Sequence, residues 1–144
     1  MSRQDITRLV VAHHEAGHAI AHRVAGGRIQ FVKVGRDGRG NTRTVENGPT
    51  PGKELDWLVM IAAGGRAEHR FLTEQGYSDR EARALVEANT SGDQANFRAL
   101  SQGTGITRRQ ADKAADKLVS RHWGRIQKLA ARLDNSGRVS GFWL

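Results

Sequence analysis

The sequence predicts a mainly α-helical domain with one small β-hairpin, and three observations predict it. Apolar residues recur at helical spacing over most of the chain, and residues with helix-capping chemistry stand just before those runs. One pair of strand-like runs flanks an Asp-Gly dipeptide. The length of 144 residues suits a single domain spanning 1–144, large enough to bury a core without staples. There is no cysteine, so disulfides are excluded and any metal must be held by His, Asp or Glu.

The elements follow in order. Ile6, Leu9, Val10, Ile20 and Val24 mark a first helix over about 3–25, stopped by Gly26-Gly27. The stretch RIQFVKVGRDGRGNTRTVENG reads as a hairpin at 29–46. Thr50-Pro51 places an N-cap before a proline at the first helical position, opening a helix to about Gln75, with Gly76 as its stop. Ser78 with Glu81 forms a capping box for a short helix ending near Asn89. Ser91 with Gln94 repeats that signal and sets Gly92 and Asp93 in the first turn of another helix. Thr107 with Gln110 opens a last long helix to about Leu133, and the tail SGRVSGFWL is expected to pack back as an extended segment.

The net charge of +8 raises the question of a polyanionic partner. Arginine supplies 18 of the 23 cations and is spread along the whole chain. On the last helix, Arg109, Lys113, Lys117, Arg121 and Lys128 lie off the apolar stripe of Ala115, Leu118, His122, Ile126, Leu129 and Leu133, with Asp112 and Asp116 between them. That pattern reads as a solvated face with internal ion pairs, so a nucleic-acid partner is not expected. The longest apolar run, LVMIAA at 58–63, is too short to cross a bilayer, and the N-terminus has no signal-peptide pattern. No membrane association and a cytoplasmic location are the expectation.

Chemistry concentrates in VAHHEAGHAIAHR, where His14, Glu15 and His18 form HExxH. Side chains four apart on a helix sit one above the other, with Cβ atoms about 5–6 Å apart, so two imidazoles can converge on one ion. Glu15 lies about 100° round the axis from His14, which unsuits it as a third ligand but lets it reach a water on the metal. A random HExxH arises about once in 100 chains of this composition, and its position inside a helix makes chance a poorer account still. His13 points away from the His14–His18 edge and is expected to pack or be solvated. His22 lies about 12 Å along the axis from His14, too far to complete one tetrahedral site, and is expected to be partly exposed. The longer HExxHxxGxxH pattern fails, because Ala21 and Val24 occupy its last two fixed positions. A third ligand must come from Asp56, Glu68, Glu74, Asp79, Glu81, Glu87 or Asp93, and spacing does not choose among them.

HEAGHA at 14–19 resembles the signature of the peptidase domain of FtsH-type, ATP-dependent zinc metalloproteases. The resemblance continues through the hairpin IQFVKVGRDGRGNTRTV, through IAAGGRAEHRF at 61–71 and through the turn NTSGDQANF at 89–97. It ends with a tryptophan-bearing helix and short tail, VSRHWGRIQKLAARL and GRVSGFWL. It implies a helical, zincin-like fold, Zn2+ as cofactor, and Asp93 as third ligand beside His14 and His18. The chain departs from the family in reading Glu68-His69-Arg70 after GGRA, which leaves Glu68 as the rival ligand, and in having Gln94 after the aspartate. It also has no GxxxxGK[ST] loop, so the family's ATPase module is not represented in it.

The resulting expectation is a zinc metalloendopeptidase acting on unfolded or partner-presented polypeptides, with Glu15 as general base and a separate ATPase or adaptor as a partner. An exposed hairpin edge is expected to pair with extended substrate. The alternatives are a catalytically weak zinc-bearing regulatory or interaction module, or a nucleic-acid-associated protein with a structural metal.

Overall fold

Two helices of small residues cross at the centre of the molecule, whose computed structural model describes residues 3–144. α1 (Arg3–Val24) is buried on every side from Ala12 to His22, and α2 (Glu54–Glu74) is buried along most of its length from Leu58 to Leu72. Alanine and glycine permit this. A Cβ on Gly17 would lie 2.6 Å from the Ala63 carbonyl oxygen and 2.8 Å from the Ala67 Cβ, so the two backbones meet at Gly17. Around this pair stand α3 (Asp79–Asn89), α4 (Ser91–Ser101), α5 (Arg108–Arg121) and α6 (Trp123–Ser136). The core draws on α1, α2, α5 and α6 together with the inner face of a small sheet.

That sheet has three antiparallel strands in the order β2-β1-β3, with β1 at Ile29–Val34, β2 at Gly40–Thr44 and β3 at Arg138–Ser140. The expected hairpin is β1–β2, and the tail packs back as the third strand. An irregularity between Ile29 and Phe31 shifts the register by one residue, so Ile29 and Val32 both face the core despite their odd spacing. Among the described residues β2 pairs only with β1, and its other edge carries no strand partner. A 3₁₀ turn at Gly141–Trp143 follows β3 and leaves Phe142 and Trp143 exposed.

Local chemistry fixes most helix ends. The capping boxes Ser78/Glu81 and Thr107/Gln110 are both formed. Three expectations are corrected. α2 begins at Glu54 rather than at Pro51, because Gly52 adopts φ 82 and turns the chain before the helix can start. α4 is preceded by Thr90 rather than capped by Ser91: Gln94 Nε2 donates to Thr90 Oγ1 at 2.9 Å, although Asp93 does fall in the first turn. The long last helix is broken at His122 (φ −110, ψ 21) into α5 and α6. The break turns Trp123 inward, where its indole N–H donates to Glu74 at 3.2 Å and Arg70 lies over its ring. Among the described residues no helix is long and apolar enough to cross a membrane.

Candidate metal centre

The one-above-another placement of His14 and His18 on α1 brings their Nε2 atoms to 3.0 Å, with the rings at right angles. Asp93, in the first turn of α4, projects its Oδ2 to 2.9 Å from His14 Nε2 and 3.2 Å from His18 Nε2. These three residues form the candidate metal-holding group among the described residues. Three donors round one tetrahedral zinc stand about 3.3 Å apart at ordinary bond lengths. The observed separations are slightly shorter, so the side chains fit such an ion after a small spread. Asp93 also lies at the positive end of its helix, which favours an anion there.

The opposite ring nitrogens decide which way the imidazoles present themselves. His18 Nδ1 lies 2.8 Å from the Met60 carbonyl oxygen, which only accepts, so Nδ1 carries the proton and Nε2 offers its lone pair. His14 Nδ1 donates in the same way to Glu68 Oε1 at 2.9 Å. Glu68 is 1% exposed, and its second oxygen accepts from Asn89 Nδ2 at 3.3 Å. Glu68 therefore sits behind His14, not with the three donors. Gly64 completes the support: a Cβ there would strike the imidazoles of His18 and His14, so the α2 backbone can lie against them only as glycine.

The electrostatics favour positive charge in the cluster. Burial pulls the His14 ring down, but hydrogen bonds to Asp93 and Glu68 and the nearby Glu15 charge outweigh it and push it up to about 10. Burial likewise works to raise Asp93, while His14 and His18 hold it well below the usual carboxylate range. Proton and metal cation compete for such a site.

Glu15 stands beside the group, 8% exposed. Thr42 Oγ1 lies 2.8 Å from Glu15 Oε1 and 3.0 Å from its main-chain oxygen, so one hydroxyl proton serves both. A Cβ on Gly40 would meet Glu15 Cγ and Oε2 at 2.6 Å, so the start of β2 lies flat against this side chain. His14, Glu15, His18 and Asp93 line a cleft of about 420 Å³, walled by β2 on one side and by Met60 and Asn96 on the other.

The remaining histidines stand apart from the three donors. His13 stacks on Phe71 with centroids 4.1 Å apart, its Nδ1 2.7 Å from the Leu9 carbonyl, and burial lowers its pKa. His22 is buried rather than partly exposed: Nε2 lies 2.7 Å from Glu46 Oε1, because the chain following β2 folds over the end of α1. Hydrogen bonds from the Arg28 main chain and the His22 ring help lower Glu46 to about 2.

Sequence reasoning passed over the roles of Thr42, Asn89, Gly64 and the Met60 carbonyl. Only the paired glycines of IAAGGRA signalled a close approach, and they did not say to what. A scan against family models finds no match to this chain, and a search of curated proteins finds none either.

Proposed function

We propose that this chain is a zinc-dependent peptidase with a zincin-like, FtsH-type arrangement, in which His14, His18 and Asp93 hold the metal and Glu15 moves the proton. The observation that supports it most is the meeting of two imidazole Nε2 atoms and one carboxylate oxygen beside a second, separately held carboxylate in an open cleft. The resemblance of HEAGH, GGRA and the aspartate turn to that family supports the same reading.

A zinc ion held by these residues would supply Lewis acidity for the scissile carbonyl and for an attacking water near neutral pH. Glu15 accepts a proton from the attacking water at a carboxylate oxygen, and returns it to the amine nitrogen as the peptide C–N bond breaks. Thr42 holds that carboxylate toward the cleft through Oε1. Met60 and Glu68 keep the protons of His18 and His14 on the far ring nitrogens, so neither imidazole turns a donor toward the metal.

The free edge of β2 borders the same cleft through Gly40, Asn41, Thr42 and Thr44. An extended polypeptide adding to that edge is read through its backbone, which makes the enzyme permissive in sequence and demands an unfolded substrate. Folded proteins would reach it only through a separate ATPase or adaptor. Zinc-loaded protein incubated with casein and with a tightly folded control tests the reading. Casein fragments that vanish on chelation support it, and intact casein after prolonged incubation overturns it.

A further inference from the structure

We propose that the solvent face of α5 and α6 is a docking ridge for the phosphate backbone of duplex DNA, independent of the metal centre. The observation behind it is where the acidic residues of these helices spend their charge. Asp112 pairs with Arg108 at 3.0 Å, Asp116 pairs with Arg66 of α2 at 2.6 Å, and Asp134 pairs with Arg8 of α1 at 3.3 Å. Among the described residues, none of the three is ion-paired with Arg109, Lys113, Lys117 or Arg121. The internal ion pairs expected from the sequence for Arg109, Lys113, Lys117 and Arg121 are therefore absent among the described residues.

What remains is a continuous row. Arg109, Lys113, Lys117 and Arg121 recur every four residues, are all exposed, and lie opposite the buried Ala111, Ala115 and Val119. They span about 18 Å of helix, a length over which B-form DNA presents roughly ten phosphate charges. Arg125, Lys128 and Arg132 continue the exposed cations along α6, away from its buried face of Ile126, Leu129 and Leu133. Cations stand on both sides of the break at His122. Burial, then the charges of Arg125 and Arg121, all lower that imidazole, so cations flank it from both helices.

The shape selects the partner. An α-helix with its side chains is about 10–12 Å across and so fits the major groove of B-form DNA, about 12 Å wide, whereas the major groove of duplex RNA is too narrow to admit it. α5 and α6 expose no Phe, Tyr or Trp on which an unpaired base could stack, their one such residue, Trp123, being buried, so a single strand gains little beyond charge. The seven ridge residues are only arginine and lysine, which suits phosphate contacts without sequence readout.

The test is fluorescence anisotropy of the whole chain with a 20-base-pair DNA of arbitrary sequence across a salt series. The parent should bind at micromolar to sub-millimolar protein and lose affinity steeply with salt, as backbone contacts do. Lys113→Gln/Lys117→Gln/Arg121→Gln should weaken binding at least tenfold at low salt and flatten the log–log salt slope by about 2–3. Lys33→Gln/Arg43→Gln/Arg138→Gln removes the same charge from the sheet and should stay within threefold of the parent. Circular dichroism melts establish that both variants fold. Should the ridge triple melt early, Lys117→Gln alone should still flatten the slope by about 0.9. No DNA binding by the parent, equal loss in the two triples, or equal ridge-dependent binding to duplex RNA, polyglutamate or phosphatidylglycerol vesicles overturns the proposal.

Discussion

Glu68 accepts the Nδ1 proton of His14 at 2.9 Å from a position with almost no solvent contact, and so turns the Nε2 of that ring toward Asp93. The two carboxylates on either side of one imidazole therefore divide the work: Glu68 orients and Asp93 faces the cleft. Removing an orienting partner of this type costs metal affinity about 10–100-fold. Glu68→Ala should weaken zinc binding within that range, and Asp93→Ala, which deletes a donor, should weaken it more. Chelator competition measures both, and the reverse order would exchange the roles.

Metal should also bind the folded state in preference to the unfolded one, because the candidate donors, residues 14, 18 and 93, stand on two helices. Zinc at a hundredfold excess over its dissociation constant adds about 2.7 kcal/mol to stability. The parent should melt several degrees higher with zinc than with chelator, while His14→Ala and His18→Ala show no such difference. An unchanged zinc content in His18→Ala would remove the metal assignment.

Thr42→Val keeps the shape of the side chain but deletes the hydroxyl that holds Glu15 Oε1. Hydrogen bonds to charged groups are worth about 1.5–3 kcal/mol, so loss of orientation should lower kcat about tenfold with zinc content unchanged. Steady-state cleavage of a quenched peptide reads this, and an unaltered kcat would show that Thr42 serves packing alone.

What the sequence made legible here follows from what is local. His14, Glu15 and His18 were readable because a four-residue interval on one helix is itself a geometry. Asp93 lies 75 positions beyond His18, where no period connects the two, and only the likeness of the NTSGD turn to a known family brought it forward. Glu68 stands in the sequence as a rival donor, since sequence carries no information about which ring nitrogen a carboxylate faces. The break at His122 was hidden because the apolar stripe from Ala115 to Leu133 runs through it in register. Burial of His22 and the helix start at Glu54 were missed for a related reason. Each depends on how a loop folds over a helix end, here at Glu46 and at Gly52.

The crossing of α1 and α2 makes a paired stability prediction. Gly17→Ala gains helix propensity of about 1 kcal/mol, but its methyl must displace the Ala63 backbone oxygen and the Ala67 Cβ, and neither can move away alone. Overpacking of this kind costs roughly 1–3 kcal/mol, so the variant should melt lower than the parent. Gly124→Ala, in α6 with nothing within 4 Å of the new methyl, should raise the melting temperature slightly. Thermal melts compare the two, and equal shifts would deny the close crossing.

Glu15→Gln tests the catalytic assignment most directly. Glutamine preserves the size of the side chain, its packing against Gly40 and an oxygen for Thr42, while the His14–His18–Asp93 group is untouched. It cannot take a proton from water at neutral pH, and general acid–base groups are worth about 10²–10⁴-fold in rate. Zinc stoichiometry, melting temperature and cleavage of an unstructured peptide should be measured on parent and variant side by side. Full zinc occupancy, a melting temperature within a few degrees of the parent, and a rate at least a hundredfold lower are expected of the variant. A variant that cleaves the peptide as fast as the parent would contradict it.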